Sequence, residues 1–324
     1  MDNLLTVAGQ VAILFALMAV GAVLRGLKLI TGEALDGFIN LLILVVTPCL
    51  IVDVFQRPFD PSMLRGLAFA FVASAAFHLV VIALARVLVR HQNENVRRPL
   101  LLAVVFSNAG FMGVPLEQAV LGDAGVFFGV VYIAVFNLFM WSWGLKTMMN
   151  EELRIKNGGR GHSQFAIRNS QFLKMWINPG TVGLAFGLPL FLLSVRLPAI
   201  LQTPIHLIAG LNTPLAMIII GYCLFGAKLG KVVRMPSVLI AAGLRLVVTP
   251  LFMIAALYPF RQSLDRNMML ALSIAAAAPV AAMVSMFASK FGRDVDVSVA
   301  IVSGTTLLSI VTMPVVIALA MAVL

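Results

Sequence analysis

The stretch Ser107-Asn108-Ala109-Gly110-Phe111-Met112-Gly113-Val114-Pro115-Leu116 is the part of this chain best equipped for chemistry. Asn108 brings hydrogen-bond donors and acceptors into an otherwise apolar run. Gly110 and Gly113 permit torsions that other residues resist, and Pro115 has no N–H and clashes with the preceding helical turn. The chemistry such a stretch offers is recognition. An unwound helix presents free N–H groups after its break, which suit an anion, and free carbonyls before it, which suit a cation. A second apolar run is interrupted in the same way at Pro279, within Ala275-Ala276-Ala277-Ala278-Pro279-Val280-Ala281-Ala282, with almost no polar side chain nearby. That counterpart favours an unwound segment over a simple proline kink. Where two such helices cross, ends of both signs meet, so the ends alone do not fix the sign of a ligand.

Arg245 is the third candidate. It stands about ten residues into an apolar run, where an unpaired guanidinium costs several kcal/mol, so it must face the interior or a wet cavity. One reading has it attract a carboxylate; the other has it pair with an acidic side chain or cap carbonyls. Asp53 and Glu117 are its nearest acidic neighbours by depth, both toward the outer edge and open to solvation. His78 reads as a hydrogen-bonded interior histidine, and Asn137 as a hydrogen-bonding residue of the same cavity. Cys49 and Cys223 read as buried free thiols; no spacing suggests a metal or a cofactor.

The elements that must position these residues are membrane helices. The chain has 324 residues, 61% hydrophobic and 11% charged, and the charged share is about half that of a soluble protein. Ten runs are long enough to span a bilayer: 4–24, 34–55, 63–85, 100–121, 124–146, 178–195, 204–226, 236–258, 266–288 and 297–320. The first is a retained span, since no basic segment or cleavage site precedes it. Counting from Leu100 at 1.5 Å per residue puts Asn108 about 12 Å deep and Pro115 about 22 Å deep. Two further Thr-Pro pairs, Thr47-Pro48 and Thr213-Pro214, mark matching interruptions in spans two and seven. From Pro48 to Pro115 is 67 residues, and from Pro214 to Pro279 is 65. Matched interruptions in two halves point to a transporter's binding site, because irregular backbone survives at membrane depth only in a protected cavity.

Charge sets the orientation. Seventeen Lys and Arg residues lie in gaps after odd-numbered spans and five in gaps after even-numbered ones, with Arg245 inside a span. The positive-inside rule then places both termini outside, periplasmic or extracellular, and the basic loop 149–177 in the cytoplasm. A net charge of +10 spread over short gaps belongs to this asymmetry and not to nucleic-acid binding. Five spans per half is odd, so the second half enters from the opposite side, giving an inverted repeat of 1–148 and 178–324 joined by the linker. The fold class expected is an all-α polytopic membrane protein of ten helices, with broken helices 4 and 9 crossing.

Asn108-Ala-Gly-Phe-Met-Gly-Val-Pro-Leu116, the counterpart at Pro279 and the Thr-Pro pairs together resemble the auxin efflux carrier family, which includes plant PIN carriers and bacterial permeases for small carboxylates such as malonate and malate. The resemblance covers essentially the whole chain. It implies a fold similar to bile-acid symporters and sodium/proton antiporters. Spans 1, 2, 6 and 7 would form a scaffold that dimerises, and spans 3–5 and 8–10 a transport domain sliding like an elevator. Broken spans 4 and 9 would cross at Pro115 and Pro279. The family's crossover asparagine maps onto Asn108 and a polar residue of span five onto Asn137. A short central loop and a poorly polar span nine set the chain apart from plant carriers and favour an organic-acid permease of a bacterial inner membrane.

The expected function is therefore transport of a small organic anion across the lipid bilayer by a homodimer without cofactors. Poor side-chain support in span nine argues against a well-built sodium site, leaving proton-coupled or sodium-coupled symport as alternatives. An intramembrane enzyme is disfavoured because no zinc-protease, aspartyl-protease or serine-hydrolase signature lies within a span. A non-transporting sensor is disfavoured because no appended domain would read out a signal. The topology makes a direct prediction: a reporter active only in the cytoplasm, fused after Leu324, is silent in whole cells, and an active fusion overturns the orientation.

Overall fold

The computed structural model describes residues 2–149, 179–225 and 235–324. The expected linker, beyond Met149, falls outside the described residues, as do Lys228, Lys231 and Arg234. Among the described residues the chain is helical apart from one isolated antiparallel bridge. The helices are α1 (Asp2–Gly26), α2 (Gly32–Val54), α3 (Pro61–Leu88), α4 (Glu94–Val105), α5 (Val114–Leu121), α6 (Asp123–Met148), α7 (Pro179–Leu192), α8 (Ala199–Phe225), α9 (Pro236–Phe260), α10 (Arg266–Ala277), α11 (Met283–Lys290) and α12 (Val295–Val323). They fall on the apolar runs read from the sequence, with α4/α5 and α10/α11 dividing the two interrupted ones. Six of them, α2, α3, α6, α8, α9 and α12, are long and apolar enough to cross a membrane. Large apolar side chains such as Phe186, Leu207 and Val311 are exposed, as a surface in contact with lipid requires.

Polar caps start the helices. Thr31, Asp60, Asn93, Asp265 and Asp294 each accept a backbone N–H from the first turn of α2, α3, α4, α10 and α12. Gly122, at φ +65°, closes α5 and reverses the chain into α6, a torsion that favours glycine.

Proline shapes the helix interiors. Single π turns occupy Leu42–Val46, Ala109–Gly113 and Leu244–Val248, each ending two residues before a proline: Pro48, Pro115 and Pro250. A proline ring collides with the carbonyl four residues back, and a locally wider turn relieves that collision without ending the helix. Thr47 and Thr249 assist by donating their hydroxyls to Leu42 O (2.8 Å) and Arg245 O (2.9 Å). Thr47-Pro48 therefore does not break span two as expected; α2 widens and runs on. In span seven the interruption is a turn at Gly210–Leu211, and Thr213-Pro214 come after it inside the first turn of the next helical stretch, where proline is tolerated.

Small residues let the helices approach. A methyl group on Gly221 would lie 1.8 Å from Met18 O, and one on Gly21 would lie 2.0 Å from Ile218 O, so the α1 and α8 backbones nearly touch. Gly183 and Gly187 of α7 pack in the same manner on Pro48, Ile51 and Phe55 of α2. α1 thus packs on α8, and α7 on α2. The remaining helices surround α10, whose residues Met268 to Ala277 are all buried. The thiols differ from expectation: Cys49 is half-buried and Cys223 exposed, because both lie on outward faces of apolar helices.

At one end of the bundle, arginines collect the carbonyls that close α6. Arg98 donates to Thr147 O and Met149 O, and Arg293 to Met148 O and Met149 O, joining α6 to the start of α4 and the loop before α12. Burial pushes the Glu94 carboxyl up, yet hydrogen bonds from Arg98 and Arg97 hold it below the usual carboxylate range.

Gly221→Ala and Gly21→Ala are each expected to cost about 1–3 kcal/mol by overpacking, read as a lower melting temperature in detergent. Gly37→Ala, where a methyl meets nothing within 4 Å, is the control and should leave the melting temperature unchanged.

Candidate functional site: a crossing of two interrupted helices

α4 ends where Phe106 turns to extended backbone (φ −105°, ψ 112°). α10 ends where Ala278 does the same (φ −60°, ψ 146°), as a residue preceding proline is driven to do. The two extended stretches meet. Asn108 N–H donates to Pro279 O at 2.7 Å and Ala281 N–H donates to Phe106 O at 3.0 Å, pairing Ser107 with Val280 in an antiparallel bridge. Val280 N–H donates to Thr305 Oγ1 of α12 at 3.2 Å. Unwound backbone deep in the protein is thereby paired within it.

The crossing lies at Ser107 and Val280, beside Pro279 but not at Pro115. Pro115 sits about two turns further on, in the first turn of α5, after the π turn Ala109–Gly113. There it widens a helix that runs on from Ala109 to Leu121, so it does not mark the break. Asn108 begins that π turn: its carbonyl accepts from Met112 and Gly113, while its side-chain amide, on a residue 9% exposed, makes no hydrogen bond among the described residues. Gly110 is exposed; Gly113 is buried, with room for a methyl only at van der Waals contact with Ala275 Cα (3.5 Å). Asn137 is half-buried on α6, and no hydrogen bond joins it to the crossing among the described residues.

Arg245 reaches the crossing from α9 and is fully buried. Its Nη1 donates to Val104 O (3.2 Å) and Val105 O (3.3 Å), and its Nη2 donates to Ala276 O. These carbonyls belong to the last turns of α4 and α10. Each helix C-terminus carries about half a negative charge, so two converging ends hold about one unit, which one guanidinium balances. The hydroxyl of Tyr132 interacts with the same guanidinium and lies 3.2 Å from Ser107 Oγ.

The acidic partners expected for Arg245 are elsewhere. Asp53 pairs with His206 of α8 at 2.9 Å, and Glu117 is buried against α6 and not solvated. The guanidinium finds backbone charge in place of a carboxylate, because the two helix ends already supply it. His78 donates through Nδ1 to Ser74 O (2.7 Å) and stacks on Phe139 at 5.3 Å, as an interior histidine does.

Beside the π turn that follows Asn108 lies a narrow cleft of about 20 Å³, room for about one water. Phe15 and Met18 of α1 and Met217 of α8 form one wall; Met112, Ser309 and Met313 form much of the other. Methionines make an adaptable apolar lining, and a hydroxyl stands at its edge.

A family model described as membrane transport protein matches residues 6–317. The chain belongs to that family, the auxin-efflux-carrier-like membrane transporters. No curated protein matches it. The crossing brings together Asn108, Pro279 and Arg245, which the sequence singled out, with Tyr132 and Thr305, which it did not; the methionines of the cleft were not singled out either. Tyr132 and Thr305 carried a signal, as polar residues inside long apolar runs; the methionines carried none, since methionine also fills ordinary cores.

Arg245→Gln leaves up to three buried carbonyls without their charged donor, and hydrogen bonds to charged groups contribute about 1.5–3 kcal/mol each. The expected outcome is a marked fall in melting temperature, partly restored by Arg245→Lys; a Gln variant as stable as the parent would show that the charge at the helix ends is dispensable.

Proposed function

We propose that this membrane transporter carries a small organic anion, a mono- or dicarboxylate, with its site at the crossing beside Asn108. The observation that carries the reading is the placement of Arg245. Helix ends of both signs meet at a crossing, so alone they select neither anion nor cation. Here the negative ends, those of α4 and α10, are already neutralised from within. The helix starts beyond the crossing, at Ala109 and Met283, keep their positive character and favour an anion. The Asn108 amide, free of internal partners among the described residues, supplies directional hydrogen bonds, and the adaptable methionines of the narrow cleft would have to part to admit an apolar portion. Gly110, Gly113 and Pro115 shape the backbone between them; Asn137 and Pro279 complete the residues assigned to the site.

Reciprocal packing of α1 on α8 and of α2 on α7 supports a scaffold of these four helices. It supports an inverted repeat of two five-span halves, with the transport unit formed by α3–α6 and α9–α12. The cleft between α1 and α8 on one side and α5 and α12 on the other is where an elevator-type movement would slide. By likeness to bacterial permeases of the family, the setting is an inner membrane, with both termini periplasmic and the scaffold as the homodimer contact. The guanidinium also fills the place that a sodium ion would take between the half-helix ends, which supports a cycle that does not need sodium.

A thermal-shift screen of dicarboxylates, monocarboxylates and indole acids identifies the ligand. Asn108→Ala is then expected to reduce its flux into proteoliposomes about 10- to 100-fold, as loss of a hydrogen bond to a charged group implies, with the melting temperature unchanged. Undiminished flux refutes the site.

A further inference from the structure

We propose that Glu117 carries a proton through the transport cycle, so that the organic anion moves together with H⁺. This rests on the transport reading above and names its coupling ion.

Glu117 lies in the first turn of α5 and is 1% exposed. Its Oε2 is fully buried and has no hydrogen-bond partner among the described residues. The protein has made room for this carboxyl specifically: a methyl on Gly129 of α6 would lie 1.8 Å from Oε2 and 2.4 Å from Cδ. Glycine at 129 is the space the acid fills. On the other side, Gly113 brings α10 close at Ala275. Tyr132 of α6 is the titratable group within electrostatic reach of Glu117 among the described residues, and α1, α8 and α10, which pack on α5, bring no charged side chain against it. The buried guanidinium of Arg245 is committed to the carbonyls behind the crossing.

An isolated carboxylate in such surroundings is expensive, whereas the neutral acid costs far less. A residue that only filled space would be Leu or Gln. A carboxyl held neutral when dry and ionised when water reaches it is a proton carrier. The neighbouring residue, Leu116, lines the cleft between α1/α8 and α5/α12, so opening that cleft displaces Glu117 as well. The carboxylate takes H⁺ from water on one face, crosses as the acid, and releases H⁺ to water on the other; no other group is altered.

Proteoliposomes containing the full chain, with a trapped pH dye and with valinomycin and equal K⁺ on both sides to hold the membrane potential at zero, test this with radiolabelled malonate. With the outside one pH unit more acidic, wild-type protein should accumulate malonate about tenfold above its level at equal pH, the dye reporting proton entry, since one proton per anion converts a unit of pH into a factor of ten. Glu117→Gln, which mimics the acid, should exchange malonate at equal pH yet accumulate none under the gradient. Gradient-driven accumulation by Glu117→Gln equal to wild type overturns the proposal, as does wild-type flux indifferent to the gradient. If Glu117→Gln does not fold, Glu117→Asp decides: a displaced pH midpoint of flux supports the proposal and an unmoved one overturns it. A wild-type protein that moves neither malonate, succinate nor benzoate under any gradient refutes the transport reading itself, and the proton role falls with it.

Discussion

The contact between the Arg245 guanidinium and the carbonyl ends of α4 and α10 is the constraint on which the rest of the structure depends. Two helices that stop inside a membrane protein leave carbonyls facing each other, and these repel. In water, solvent would screen them; at this depth only the protein can. One guanidinium, planar and carrying several donors, reaches both ends at once, which a lysine ammonium does less well. The extended stretches can then pair through Asn108, Pro279, Phe106 and Ala281 with their charge already balanced. Helix interruption is sustainable here because its electrostatic consequence is met within one side-chain length.

Arg245 itself stands in a π turn that Pro250 imposes on α9. The same device recurs before Pro48 and Pro115. Proline in these helices does less breaking than widening: its ring forces the carbonyl four residues back to move, and the extra residue in the turn rotates the helix beyond it. In α9 that turn lies where the guanidinium must be aimed at the crossing; in the stretch after Asn108 it separates the crossing from α5. Glycine acts in the complementary way, removing side chains where backbones must approach. Gly21 and Gly221 allow α1 and α8 to touch, and Gly129 leaves space for a carboxyl.

The sequence made the helices and their approximate bounds legible, because bilayer thickness fixes how long an apolar run must be. Two interruptions and a buried arginine were also legible, since each violates the local apolar rule. Which residue marks the break was not. Pro115 is the conspicuous signal, yet the chain departs from helix at Phe106 to Asn108, where no proline forces it. Ala278 obeys the proline after it, and the partner stretch unwinds by pairing with it; that is a tertiary cause with no trace in residues 100–121. The surroundings of Glu117 were illegible for a similar reason. Helix counting placed it toward the membrane edge, but exposure depends on what α6 brings over it, and a glycine twelve positions away decides that.

An internal counter-charge also has a consequence for movement. In the elevator-type movement proposed above, the sliding unit would carry its crossing with it. If the α4 and α10 ends were neutralised by a bound ion, each passage would require that ion to bind and leave in step with the substrate. A covalently attached guanidinium would travel with the ends it balances, so on that proposal the unit would present the same internal electrostatics at every height. The charge that changes during a cycle is then confined to the substrate and to whatever group takes up or releases a proton. The described residues place one candidate for that group against α6, outside the reach of any basic side chain. On the proposal above, a permanent charge that holds the architecture would be separate from a removable charge that accompanies the cargo.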